Sequence, residues 1–361
     1  MLKIILLLIF IIHGMIHLLG FVKAYKITEV NQLTREISKP MGLFWLFTGL
    51  LFIITFILFL LNNRLCLLTG SGAVIISQLL IFYNWQDAKF GTIANIVIIF
   101  ILIIGYGTWR FENHYINDVA KGLKRTDKIK NTLLTEADIK SLPFLIQKYL
   151  HYTGVVNKPK VENVKIIFDG EMRDKGKDWF TFTSEQHNFF DVPTRLFYMK
   201  GNIMKITVPG YHSYKNGNAT MQIKLFGLIP IIDAKGRELD TTETVTLFND
   251  MCIMVPASLI DKRIQWKEID STSVRAIFTN NGIRISALLY FNAKGQLINF
   301  VSDNRYAIAD MKKYRFSTPI SDYQNINGVN IATHGETVWH YPDGDFIYGK
   351  FDLLSIEYNV R

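Results

Sequence analysis

The sequence predicts an α+β chain in two unlike parts. A four-helix transmembrane bundle occupies residues 1–109, a β-rich soluble domain with one or two packed helices occupies 132–361, and a basic juxtamembrane linker, 110–131, joins them. Three observations predict this. Four apolar stretches, each near the ~20 residues that a helix needs to cross a bilayer core, crowd the first third of the chain. Charge is segregated: of 40 Lys and Arg and 31 Asp and Glu, only seven and three precede residue 110. Further along, apolar and polar residues alternate with period two in one segment after another, the pattern of half-buried antiparallel strands. The mean hydropathy is +0.16 although 20% of residues are charged, so apolar residues must be concentrated. That excludes a wholly soluble enzyme, a disordered chain and a disulfide scaffold.

The apolar stretches are 4–22, 41–61, 65–83 and 90–109, and none holds a Lys or Arg between its ends. A charge at mid-membrane costs a few kcal/mol, so its absence is part of the signal. The first stretch is read as a span rather than a signal peptide, because it is long and no small-residue cleavage site follows. Asn62, Asn63 and Arg64 leave room only for a tight turn, making the second and third spans a hairpin. Trp45, Trp85 and Trp109 sit at span ends, where indoles favour the interface. Four spans put both termini on one side, and the flanking basic residues do not decide which.

Polar residues inside spans are expensive and therefore candidates for chemistry. His13 and His17 share one helix face; Gln78 and Asn95 lie in the third and fourth spans, and Asp87 and Lys89 at their junction. Imidazoles spaced i, i+4 can converge on a metal or haem. With no convincing third ligand, interhelical hydrogen bonds from the histidines to Gln78 or Asn95 are the favoured reading.

After Trp109, Lys121, Lys124, Arg125, Lys128 and Lys130 form a basic run suited to anionic lipid heads. Nucleic acid is not an expected partner, because aromatics are not interleaved with these charges. Thr135 and Asp138 start a helix that Pro143 interrupts and Gly154 closes. Strands follow around Val164, Ile166 and Phe168, around Met204, Ile206 and Val208, around Met221, Ile223 and Leu225, and from Ile283 to Phe291. Asn281-Gly282, Asn292 to Gly295 and Asn327-Gly328 supply turns. A second helix fits between Asp240 and Leu259, limited by Pro256. About ten strands result. Met204, Ile206, Met221, Ile223 and Leu225 are expected on the covered face, either as core filling or as a surface for a hydrophobic ligand, for which methionine is adaptable.

No Gly-x-Ser-x-Gly, P-loop, His-Glu-x-x-His or Cys-x-x-Cys occurs. Spaced by two along a strand, His334, Glu336 and His340 share a face and could ligate a metal, with Asp343 and Asp345 nearby. A wet strand face followed by a Pro-Asp-Gly turn explains the same residues, and that reading is preferred. No cofactor is expected. Cys66 and Cys252 lie in different parts and are not expected to pair.

The segments Leu-Pro-Phe-Leu-Ile-Gln-Lys-Tyr-Leu-His-Tyr-Thr-Gly-Val-Val (142–156), Leu-Phe-Gly-Leu-Ile-Pro-Ile-Ile-Asp-Ala (225–234), Gly-Arg-Glu-Leu-Asp (236–240) and Gly-Glu-Thr-Val-Trp-His-Tyr-Pro-Asp-Gly-Asp-Phe (335–346) resemble a family of uncharacterised bacterial membrane-associated proteins. Residues 37–45 and 85–95 resemble members that carry a four-helix front end. The β-rich half is more distantly similar to the LolA/LolB-like architecture, with Tyr323 and Asn327 to Ile331 before two long final strands. The resemblance implies a curved antiparallel sheet wrapped on helices and used elsewhere to hold acyl chains. It also implies a multi-pass protein of the bacterial inner membrane with the β domain outside the cytoplasm. Three roles stay open: a membrane-tethered module for a lipid or other hydrophobic ligand, an enzyme working near His334 to Asp345, or a structural subunit of a membrane complex.

Overall fold

Ser38 caps a helix with its side chain, accepting from the Met41 N–H, and Pro40 starts it without losing a needed donor. That helix is α2 (Lys39–Leu60), preceded by α1 (Leu2–Ala24). The computed structural model describes residues 2–129 and 132–361 and divides into two compact units, Met1–Arg110 and Phe111–Arg361. Asn62, in the left-handed region at φ 53°, turns α2 into α3 (Leu65–Tyr83), and Asn63 accepts from the Leu65 N–H. The short α4 (Trp85–Ala88) then leads to α5 (Gly91–Thr126). Four of these helices are long and apolar enough to cross a membrane. Their outward faces carry Leu68, Leu79, Ile96 and Phe100, which a lipid environment accepts and water does not. Close approach between α1 and α2 depends on Gly20, where an added Cβ would lie 2.2 Å from the Trp45 ring.

In the second unit, the capping box of Thr135 and Asp138 starts α6 (Glu136–Ile139), and Pro143 precedes α7 (Phe144–Thr153), which Gly154 ends in the left-handed region. The first meander is β1 (Asn163–Met172), β2 (Phe180–Phe189), β3 (Thr194–Ile203), β4 (Ile206–Lys215), β5 (Asn218–Leu225) and β6 (Ile229–Lys235). The helix α8 (Arg237–Ile253) and a 3-10 turn, Pro256–Ile260, cross to the second meander. That is β7 (Ile264–Glu268), β8 (Ser273–Asn280), β9 (Ile283–Phe291), β10 (Leu297–Ala307), β11 (Lys312–Ile326), β12 (Val329–Tyr341) and β13 (Gly344–Tyr358). All thirteen strands form one antiparallel sheet, in the order β6-β5-β4-β3-β2-β1-β13-β12-β11-β10-β9-β8-β7. Pairing of β1 with β13 welds the two meanders, and the sheet curls into a half-barrel around α7 and α8. Tyr149 and Leu150 of α7 and Phe248 and Met251 of α8 meet Phe278, Leu289, Phe300 and Ile331 in its core.

Three expectations need correction. Among the described residues the strands number thirteen, not about ten. Residues 110–126, expected as linker, are helical, and those from Phe111 on pack against the sheet. Met204 and Ile206 are not on a covered face: Met204 and Lys205, both at positive φ, form the β3–β4 turn, and Met204 is 92% exposed. The packing of α5 also explains why β2 to β4 lack clean alternation. Phe189, Leu196, Tyr198 and Tyr211 on their outer face are buried by Phe111, Tyr115 and Val119, while the inner face is buried by α8.

Candidate functional site

The inner face of the half-barrel holds a buried polar network. Arg195 of β3 donates from Nε to Asp250 of α8 at 2.8 Å, from Nη1 to Glu243 at 3.2 Å, and from Nη2 to Gln186 at 3.0 Å. Asp250 also accepts from Gln186 at 2.7 Å and Asn188 at 3.0 Å. His212 of β4 lies close to Arg195 and Arg305; burial first, then these two cations, lowers its pKa to about 3, so the ring is neutral. Its Nε2 is buried without a partner. Arg305 of β10 stacks over Phe316 at 4.0 Å, with Trp339 and Tyr348 completing an aromatic cage. Met221 and Ile223 share this inner face, because they register with His212 and Gly210. Leu225, one strand position pair further, is half-buried. Of the five residues expected to line a ligand face, the structure therefore brings together Met221, Ile223 and Leu225 on β5 and leaves Met204 and Ile206 exposed at a hairpin tip.

A cavity of about 270 Å³ opens near the far end of α7. Val155, Val161, Val255, Pro256, Ala257 and Val329 give it apolar walls; Asn327, Tyr358 and Asn359 lie at its edge. Among the described residues Lys158 is its only charged lining residue, and its Nζ donates to the Gly328 carbonyl. No motif marks this cavity, since its lining comes from four separate segments.

The expected ligand set of His334, Glu336 and His340 is not assembled. Six strand residues separate the two histidines by roughly 20 Å, and each is held by the neighbouring strand: His334 Nδ1 by Asp352 at 2.7 Å, and His340 Nδ1 by Asp345 at 2.6 Å. Glu336 registers opposite Lys350. Among the described residues, no group of three His, Cys, Asp or Glu side chains is placed to hold a metal. The other ring nitrogen of His340 meets Ser317 Oγ at 2.8 Å. Sequence reasoning missed Ser317, which sits on β11 with no motif around it. Asp343 pairs with Lys175 at 2.5 Å.

In the first unit, His13 Nε2 lies 3.0 Å from Asn95 Oδ1 and 3.3 Å from Ser77 Oγ. Asn95 donates to Ser77 and to Gln78, and Gln78 donates to Thr92. His17 Nδ1 meets the His13 carbonyl at 2.9 Å. The polar residues of three helices thus bond to one another, while His17 Nε2 is buried without a partner. Asp87 and Lys89 lie outside the long helices, at α4: Asp87 accepts from the Thr34 backbone and hydroxyl and from the Arg35 N–H, fixing the loop between α1 and α2. Lys89 stacks on Phe90.

Residues 132–351, which contain most of the sheet, α8 and most of the cavity lining, match the model of a family of unknown function, DUF6544. The chain belongs to that family. The family region covers the inner network and the Ser317–His340 contact, and it begins after α5. The chain is also similar in structure to a LolA superfamily protein of Nitrosomonas europaea, at 10% identity and a TM-score of 0.35, over 59% of this chain and 93% of that one. No curated protein matches the sequence.

Proposed function

We propose that the chain is a membrane-tethered binding module that holds a hydrophobic ligand in its second unit. One observation carries this reading: the apolar cavity of about 270 Å³ among Val155, Val255, Ala257 and Val329. An engineered cavity of ~150 Å³ already takes up benzene, and ligand pockets start near 300 Å³, so the volume suits one short acyl chain or one ring system. Four spans in the bacterial plasma membrane provide the tether, and the sheet faces the extracytoplasmic side. Lys124 and Lys128 are exposed and can meet anionic lipid heads, Lys121 is exposed but pairs with Asp118 at 3.5 Å, and Arg125 is engaged by Asp191 at 2.5 Å; Lys130 lies outside the described residues. Filling the cavity with Ala257→Leu should remove bound ligand from the purified chain. A reporter fused at Arg361 tests the side: phosphatase activity supports the extracytoplasmic placement, and cytoplasmic fluorescence without it overturns it.

A second reading, hydrolysis, is favoured by one contact. Ser317, His340 and Asp345 are joined through the same two ring nitrogens as a nucleophile, its base and the base's orienter. Against it, Ser317 is only 4% exposed, so a carbonyl carbon cannot reach Oγ unless the sheet-face side chains move. Labelling by a fluorophosphonate, lost in Ser317→Ala, would establish the hydrolytic reading; absence of labelling removes it.

A further inference from the structure

The two hairpin tips at one rim of the half-barrel are apolar. Ile203, Met204 and Ile206 form the β3–β4 tip, with Met204 92% exposed. Leu228, Ile229 and Ile231 form the β5–β6 tip, the last two 59% and 57% exposed. Since β4 pairs with β5 from Gly210 and Ile223 onwards, both tips project past the same end of that pairing. Monomeric soluble surfaces scatter such residues; six exposed large aliphatic side chains on two hairpin tips at one rim mark a surface that is covered in use.

Contacts along α5 show which rim this is. Arg125 reaches Asp191 before β3 begins, Asp118 accepts from Tyr211, and Glu112 pairs with Lys200 at 2.8 Å near the end of β3. Lys224 stacks over Phe111 at 4.8 Å. The tips beyond Lys200 and Lys224 therefore lie past the Phe111 end of this unit, where the chain enters it from the apolar run 91–109. Residues 201–207 and 224–232 contain Lys205 and Lys224 and no carboxylate. Aliphatic tips flanked by lysines suit the boundary between acyl chains and anionic heads.

We propose that the β3–β4 and β5–β6 tips dock on an anionic lipid bilayer surface, with Met204 and Ile229 entering the acyl boundary. This surface is distinct from the cavity and does not depend on a ligand being held there. It also gives a role to the Leu-Phe-Gly-Leu-Ile-Pro-Ile-Ile segment, whose edge-strand Pro230 discourages pairing with a further strand.

The test is a nitroxide placed by Met204→Cys in the full chain, reconstituted in vesicles of phosphatidylethanolamine and phosphatidylglycerol. Both native cysteines are buried, so labelling is selective. A second label at Glu357→Cys, exposed on the last strand, serves as reference. The expected result is a several-fold higher ratio of oxygen to nickel-chelate collisions at 204 than at 357. Equal ratios, which mean water, would overturn the proposal. So would a label at 204 shielded from both reagents, which means that a protein or a second copy covers the tips.

Discussion

Arg195 and Asp250 bind β3 to α8 through a 2.8 Å charge-assisted hydrogen bond inside the half-barrel, where the Arg195 side chain is buried and that of Asp250 is only 14% exposed. Asp250 collects three donors in all, from Arg195, Gln186 and Asn188. Removing it takes an acceptor from each of the three, and leaves the buried Arg195 only Glu243 and Gln186. Breaking a buried pair from one side costs about 3–5 kcal/mol, so Asp250→Ala should lower the unfolding free energy of the second unit by that order. Denaturant titration of the purified chain, followed by tryptophan fluorescence, reads it. A loss below about 1 kcal/mol would show that water replaces Asp250 and that the network is not sealed.

Packing of α5 on the sheet depends on one missing side chain. A Cβ on Gly122 would come 2.2 Å from the Phe189 ring. Alanine there gains up to about 1 kcal/mol of helix propensity, yet overpacking a tight contact costs about 1–3 kcal/mol. Gly122→Ala should therefore be net destabilising, and Gly122→Leu more so. Combined with Phe189→Ala, the Gly122→Ala cost should vanish, a coupling visible in a double-mutant cycle. Additive effects would mean that the helix shifts to accommodate the methyl.

A fragment 132–361, the boundary that the sequence suggests, would expose Phe189, Leu196, Tyr198 and Tyr211. It should unfold at lower denaturant than a fragment 111–361. Equal midpoints would show that the α5 segment contributes nothing to the sheet.

Acid should destabilise the second unit through two neutral histidines. Burial holds His187 at about 4 and, with Arg195 and Arg305, His212 at about 3, against 6.5 in the unfolded chain. As pH falls below about 6.5, the unfolded chain takes up the protons first. The stability tied to these rings is complete above pH 6.5 and is lost as pH falls towards 4 and then 3, by up to about 1.4 kcal/mol per pH unit for each ring. Melting temperature against pH measures this. In His212→Phe the slope below pH 6.5 should be shallower; an unchanged slope would exclude His212 as its source.

Much of the fold was legible because its signals are local. Four uninterrupted apolar runs announce four helices, Thr135 and Asp138 announce a cap, and Asn281-Gly282 and Asn327-Gly328, all at positive φ, announce hairpins. The β3–β4 turn was not legible, because Met204 and Lys205 adopt left-handed backbone without Asn or Gly, and the apolar residues around them mimic a strand. Strand β2 was hidden for another reason: its Gln186 and Asn188 join an interior polar network and its His187 faces Tyr115, so period two vanishes. The cavity, the Ser317–His340 contact and the Arg195 network are made by residues tens to over a hundred positions apart. Only topology brings them together.

Mass spectrometry of what co-purifies with the detergent-solubilised full chain tests the central claim most directly. Wild type is compared with Ala257→Leu and, as a second filling variant at another wall, Val329→Phe. Lipid adhering to the spans is common to all three and cancels. The account predicts an apolar or amphipathic molecule near one per chain in wild type, reduced about tenfold in both variants while their melting temperatures stay close to wild type. Equal ligand content in wild type and in folded variants, or a wild-type chain with nothing beyond span-bound lipid, would contradict it.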